Sequence, residues 1–166
     1  MAELTPKERL QPSLLDRLTD DEPTTRVESR EKRVLSMQKL RQSVLRDVSW
    51  LLNADSFESV NDLTDYPEVA KSVINFGIRN LAGTSVVGTD LSDIEKKLKQ
   101  AITVFEPRIL PHSLTVRVLS ADVMNQQAIS FDIEANLWAQ PLPIHLYLRT
   151  EIDMLTGDVN LRDMGG

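Results

Sequence analysis

Val34, Met37, Leu40, Val44, Val48 and Leu51 recur at steps of three and four residues, and Leu45 and Leu52 widen the stripe. Lys39, Arg41, Gln42, Arg46 and Asp47 fill the other side, with no proline or glycine to interrupt, so this period predicts an amphipathic helix from Glu31 to Leu52 whose polar side is a solvated face. A polar interval from Asn53 to Asp65 follows. Tyr66-Pro67-Glu68-Val69-Ala70 then opens a second helix, with Pro67 in the first turn, Val69, Val73, Ile74 and Phe76 as its buried side, and Gly77 as its stop. Residues 78–89, with Gly83 and Gly88, read as a loop. Thr89 or Asp90 caps a third helix, whose stripe is Leu91, Ile94, Leu98, Ala101, Ile102 and Phe105.

Beyond Pro111 the period changes from 3.6 to 2. Leu114, Val116 and Val118 mark a first strand, and Asn125-Gln126-Gln127 turns the chain into Ile129, Phe131, Ile133, Ala135 and Leu137. Pro141 and Pro143 place the next connection at the sheet margin. Ile144, Leu146, Leu148, Thr150 and Ile152 form a third strand, and Thr156-Gly157-Asp158 turns into a short last one, Val159 to Leu161. Strict alternation gives a sheet with one buried and one wet face. The expected fold is α+β, with three N-terminal helices packed on one face of a small antiparallel sheet of three to four strands. Residues 34–162 form the domain, 163–166 a flexible tail, and 1–33, rich in charge and proline, a docking segment and linker. Within that segment Leu14, Leu15 and Leu18 make a short apolar face behind Pro12, too short to be stable unless it docks on its own domain or on a partner.

Charge and composition narrow the function. The 166 residues carry 19 basic and 25 acidic side chains, a formal charge of −6, and lack the clustered basic excess of a nucleic-acid binder. There is no cysteine, and His112 and His145 are the only histidines, so no standard metal spacing can be built and no cofactor is expected. No apolar run reaches membrane-spanning length, and Met1 to Arg9 has no hydrophobic leader core, so a cytoplasmic location without membrane insertion is expected. The glycines lack the Gly-Lys-Ser/Thr sequence of a phosphate cradle, and no small-molecule substrate is indicated.

The one anomaly lies where the third helix meets the sheet. Glu106 is a carboxylate at a helix C-terminus, where it opposes the macrodipole, while Arg108 two residues on complies, and rigid Pro107 separates them. The two side chains form either a local ion pair that closes the helix end or a pair presented to a partner. A glycoside hydrolase using Glu106 with Asp132 or Glu134 is disfavoured. The neighbouring Arg108 would lower the pKa that a general acid needs raised, and alternation along the strand already accounts for Asp132 and Glu134.

Six segments occur in an order that resembles the TssE family of type VI secretion baseplate subunits, relatives of a small "lysozyme-like" wedge protein of contractile phage-tail baseplates. They are Gln11-Pro12-Ser13-Leu14-Leu15-Asp16-Arg17-Leu18, the helix Leu40 to Asn53, Tyr66-Pro67-Glu68-Val69, Asn75-Phe76-Gly77-Ile78, Glu106-Pro107-Arg108, and Leu137 through Glu151. The resemblance implies an assembly part without catalysis. Its expected partners are TssF and TssG in the wedge, the TssB/TssC sheath that starts to polymerise on it, and TssK nearby, at the cytoplasmic face of the inner membrane. It also implies that Glu106, Pro107 and Arg108 serve assembly. The corresponding expectation for the sheet is an open edge that accepts a sheath strand, which substitutions along 144–152 would block. An adaptor of an unrelated system, binding through Leu14, Leu15 and Leu18, is the alternative.

Overall fold

The computed structural model describes residues 13–19, 24, 37–78, 80–83, 90–121, 128–139 and 143–165. Expectations resting on Pro12, Val34, Gly88, Thr89, the turn at 125–127 and Pro141, and most of the 20–33 linker, lie outside the described residues. Among the described residues four helices come first: α1 (Leu14–Leu18), α2 (Met37–Leu52), α3 (Pro67–Ala70) and α4 (Leu91–Phe105). Four described strands follow: β1 (Thr115–Ala121), β2 (Ala128–Leu137), β3 (Ile144–Asp153) and β4 (Val159–Asp163). They form an antiparallel meander in the order β1-β2-β3-β4.

The helix and strand periods meet in one core. Val44, Val48 and Leu51 of α2 and Leu98 and Ile102 of α4 are buried together with Phe131, Ile133 and Leu137 of β2 and Leu146, Leu148 and Ile152 of β3. Each such side chain, fully buried, contributes about 1.5–3 kcal/mol. Asp90 starts α4 by accepting the backbone N–H groups of Ser92 (2.9 Å) and Asp93 (3.3 Å), two donors the helix leaves unpaired. β2 and β3 pair without a break from Ala128↔Asp153 to Leu137↔Ile144, while β1 carries an irregularity between Val118 and Ser120. Met37, expected in the apolar stripe, is instead exposed at the start of α2.

The expected second helix is reduced to the single turn α3 and a 3-10 turn at Val73–Asn75. Ser72 interrupts it, its hydroxyl donating to the Val69 carbonyl and accepting the Ile74 N–H. The predicted buried side therefore does not form, and Val73 and Ile74 are exposed. Asn75 is buried instead, accepting from Glu58 N–H (2.8 Å) and donating to the Ala70 carbonyl (2.9 Å). Phe76 packs edge-to-face on Phe105 of α4, with centroids 5.5 Å apart. Gly77 ends this segment at φ +131°, where a Cβ would lie 2.3 Å from the Ala54 carbonyl oxygen, so only glycine permits the Asp55↔Ile78 bridge beside it.

The edges of the sheet are β1 and β4. β3 is paired on both sides, so the open edge that the sequence leaves unassigned is β1 or β4, and substitutions along 144–152 would not meet an incoming strand directly. Asn53 acts at the outer edge of β4 as a one-residue strand, donating to the Val159 carbonyl and accepting its N–H, each at 2.9 Å. At β1, Glu95 of α4 accepts the Val118 N–H at 2.7 Å. No helix among the described residues is long and apolar enough to cross a membrane.

Candidate functional site

Pro107 stops α4, and Glu106 takes the C-cap position, its N–H still donating to the Ile102 carbonyl at 2.9 Å. The backbone then turns through Ile109 N–H to Glu106 carbonyl and is stitched to the end of β2. Trp138 N–H donates to the Arg108 carbonyl (2.7 Å) and Leu110 N–H to the Asn136 carbonyl (2.9 Å). Arg108 is thereby fixed between the helical layer and the sheet. Pro107 itself is exposed.

Glu106 and Arg108 bind each other. The Arg108 Nε donates to Glu106 Oε1 at 2.7 Å, its Nη2 reaches Oε2, and its backbone N–H adds a third bond to Oε1 at 3.1 Å. The same guanidinium extends to α2, where Nη2 donates to Asp47 Oδ2 (2.6 Å) and Nη1 to Ser43 Oγ (2.7 Å). Ser43 in turn donates to Asp16 Oδ2 of α1 at 2.9 Å, and Arg46 joins Asp16 (2.7 Å) to Asp47 (2.8 Å). One continuous polar network therefore ties α1, α2 and the end of α4.

Burial sorts the members by role. Glu106 is 3 % exposed, whereas the side chains of Arg108 and Asp47 keep 23 % and 24 % of their surface. Glu106 thus lies beneath and fixes the fork, and Arg108 with Asp47 forms its accessible rim. Burial pulls the Arg108 guanidinium down, but the hydrogen bonds and charge of Glu106, then of Asp47, more than offset this and hold it above its ordinary value. Burial likewise raises the Asp16 carboxyl. Hydrogen bonds from Ser13, Arg46 and Ser43 and the charge of Arg46 outweigh that and hold it at about 2. Three carboxylates (Glu106, Asp47, Asp16) share two guanidiniums (Arg108, Arg46), so the network carries one excess negative charge.

Leu14, Leu15 and Leu18, expected at a protein interface, face solvent, away from this network. α1 is held by its polar residues, with Ser13 as N-cap and Asp16 in the network, while Leu14 and Leu18 are 71 % and 74 % exposed and Leu15 is exposed too. Sequence reasoning missed Ser43, Asp47, Arg46 and Asp16. The available signal was spacing: Ser43 and Asp47 are four residues apart and lie on one side of α2.

Glu106 sits on the helical side of the sheet, whereas Asp132 and Glu134 alternate with the core residues of β2 and belong to its wet face, so they make no carboxylate pair with it. His145 is exposed on that face, 3.1 Å from Glu134. Among the described residues, no group of three or more acids and histidines is placed to hold a metal ion. A cleft of about 200 Å³ lies between α4 and the 3-10 turns at Phe57–Ser59 and Val73–Asn75, lined by Glu58, Asn75, Lys97, Gln100 and Phe105 among others, below the usual volume of a small-molecule site.

A family model described as baseplate wedge protein gp25 matches residues 38–142, a span that contains Ser43, Arg46, Asp47 and Glu106-Pro107-Arg108 but not α1. No curated protein and no solved structure gives a significant match.

Proposed function

Because the chain belongs to the gp25 family of baseplate wedge proteins, we propose that it is a structural, non-catalytic subunit of a type VI secretion baseplate, working at the cytoplasmic face of the inner membrane. It joins TssF and TssG in the wedge, close to TssK, and templates the TssB/TssC sheath. The observation that supports the first role is the Arg108–Asp47 rim, held by buried Glu106 at the end of α4. Such a rim has oriented donors and acceptors still open to solvent, and its excess negative charge suits a partner that brings a cation or N–H donors. Leu14, Leu15 and Leu18, presented by α1 in the same network, supply an apolar second contact. The fold's own need for Glu106 is consistent with this role, since the residue that positions a contact is part of it.

The outer edge of β4 suits sheath templating. Met164 N–H donates to the Tyr147 carbonyl on the β3 side. The alternation of an antiparallel ladder then turns the backbone groups of Val159, Leu161 and Asp163 outward. Asn53 occupies only Val159, leaving Leu161 to pair with an incoming strand. Co-expression with TssF and TssG, followed by affinity capture of this chain, should recover a three-component wedge, and absence of both partners would reject the assignment. Leu161→Pro should leave that wedge intact and suppress sheath polymerisation from it. Normal sheath formation would reject the edge.

A further inference from the structure

The wet face of the sheet carries a second charged feature, on the side away from the helices. Arg117 of β1 is directly opposite Asp132 of β2, Asp132 opposite Arg149 of β3, and Arg149 opposite Arg162 of β4. Directly paired residues share a face, so one transverse row crosses all four strands with three arginines and a single acid. All three arginines are exposed. The row spans roughly 14 Å, at about 4.8 Å per strand.

The single acid is already engaged. Asp132 accepts from Tyr147 OH at 2.7 Å and from Arg149 Nε at 3.1 Å, and the nearby Glu134 faces His145. Arg117 and Arg162 make no ion pair among the described residues. Arg162 also stands in direct register with Arg149, a like-charge pair that weakens the isolated sheet. In a chain of net charge −6, a row of three guanidiniums with one neutralising acid is a local reversal of sign.

We propose that this row is a docking strip for an acidic protein segment, whose carboxylates bridge Arg117 and the Arg149–Arg162 pair. A guanidinium fork matches a carboxylate bidentately, and a partner acid between Arg149 and Arg162 removes their repulsion. Glu134 and Glu151 flank the row on the same face, so the positive strip is narrow. A nucleic-acid backbone or an anionic membrane, each a broad field of phosphates, would meet these acids as well as the arginines. A short acidic segment, about four extended residues long at 3.3–3.6 Å each, reaches across the row without doing so.

The full-length chain, titrated at low salt into fluorescently labelled decaglutamate and followed by anisotropy, tests the strip. Binding should weaken about fivefold or more in Arg117→Ala/Arg162→Ala and stay unchanged in Lys96→Ala/Lys99→Ala on α4. Arg162→Glu should abolish binding while raising the melting temperature of the isolated chain, because it places an acid opposite Arg149. Absence of decaglutamate binding, equal binding by the arginine double variant, or tighter binding of a ten-base oligothymidylate or of phosphatidylglycerol vesicles would overturn the proposal. A lowered melting temperature in Arg162→Glu would overturn the repulsion on which it rests.

Discussion

Replacing Glu106 by alanine removes the buried member of the network and leaves its cation behind. Arg108 loses the contacts of both Glu106 oxygens and keeps only Asp47 and Ser43. Breaking a fully buried ion pair costs about 3–5 kcal/mol. Arg108 remains 23 % exposed and retains one carboxylate, so the expected loss is smaller, about 2–3 kcal/mol. For a chain of this length that corresponds to a fall in melting temperature of about 5–10 °C. Arg108→Ala should cost at least as much, since it leaves two carboxylates facing each other. Urea unfolding followed by circular dichroism, on both single variants and the double variant, gives the coupling energy directly, expected at about 1–3 kcal/mol. A coupling near zero, or a Glu106→Ala change within about 0.5 kcal/mol of wild type, would refute the claim that the pair is a unit of the fold.

Three further outcomes follow from single contacts. Asp16, held at about 2, binds its proton more weakly folded than unfolded, so its contribution is present above the ordinary carboxylate value and is lost as pH falls from about 4 to about 2. After discounting for solvent screening it is about 1–2 kcal/mol. It should appear in hydrogen exchange as selective opening of α1, absent in Asp16→Ala. Asn53→Ala removes both bonds to Val159, which should cost about 1–2 kcal/mol in chemical denaturation and expose the full β4 edge, seen as concentration-dependent association in light scattering. Gly77→Ala places a methyl group against the Ala54 carbonyl at positive φ and should destabilise by about 2 kcal/mol or more, with lost protection of the Ile78 amide as its local sign.

The sheet was readable because alternation in Ile129–Leu137 and Ile144–Ile152 has one physical solution, a strand with a wet and a dry face. The long helices were readable for the same reason, and Asp90 at the start of α4 behaved as a cap should. The segment around Val73 and Ile74 departs from its helical pattern because apolar residues at helical spacing do not reveal that Ser72 breaks the turn between them. The network was half visible. Electrostatics at a helix end marked Glu106 and Arg108, but Ser43 and Asp47 belong to a polar helix side that pattern alone assigns to solvent, and only tertiary packing brings Arg108 to them. The outward direction of Leu14 and Leu18 was hidden too, because a five-residue helix can dock by either side and Asp16 decides which. Edge and interior strands have the same periodicity, so the central place of β3 could emerge only from pairing.

On the proposed function, the Arg108–Asp47 rim both closes the fold and joins the wedge. The most direct test compares wedge recovery for two variants of equal thermal stability: Arg108→Ala, and a core variant such as Ile102→Val or Ile102→Ala chosen to match its melting temperature, each co-expressed with TssF and TssG. Full recovery with the core variant and loss with Arg108→Ala is the predicted result, whereas equal recovery with both would contradict the rim's part in assembly.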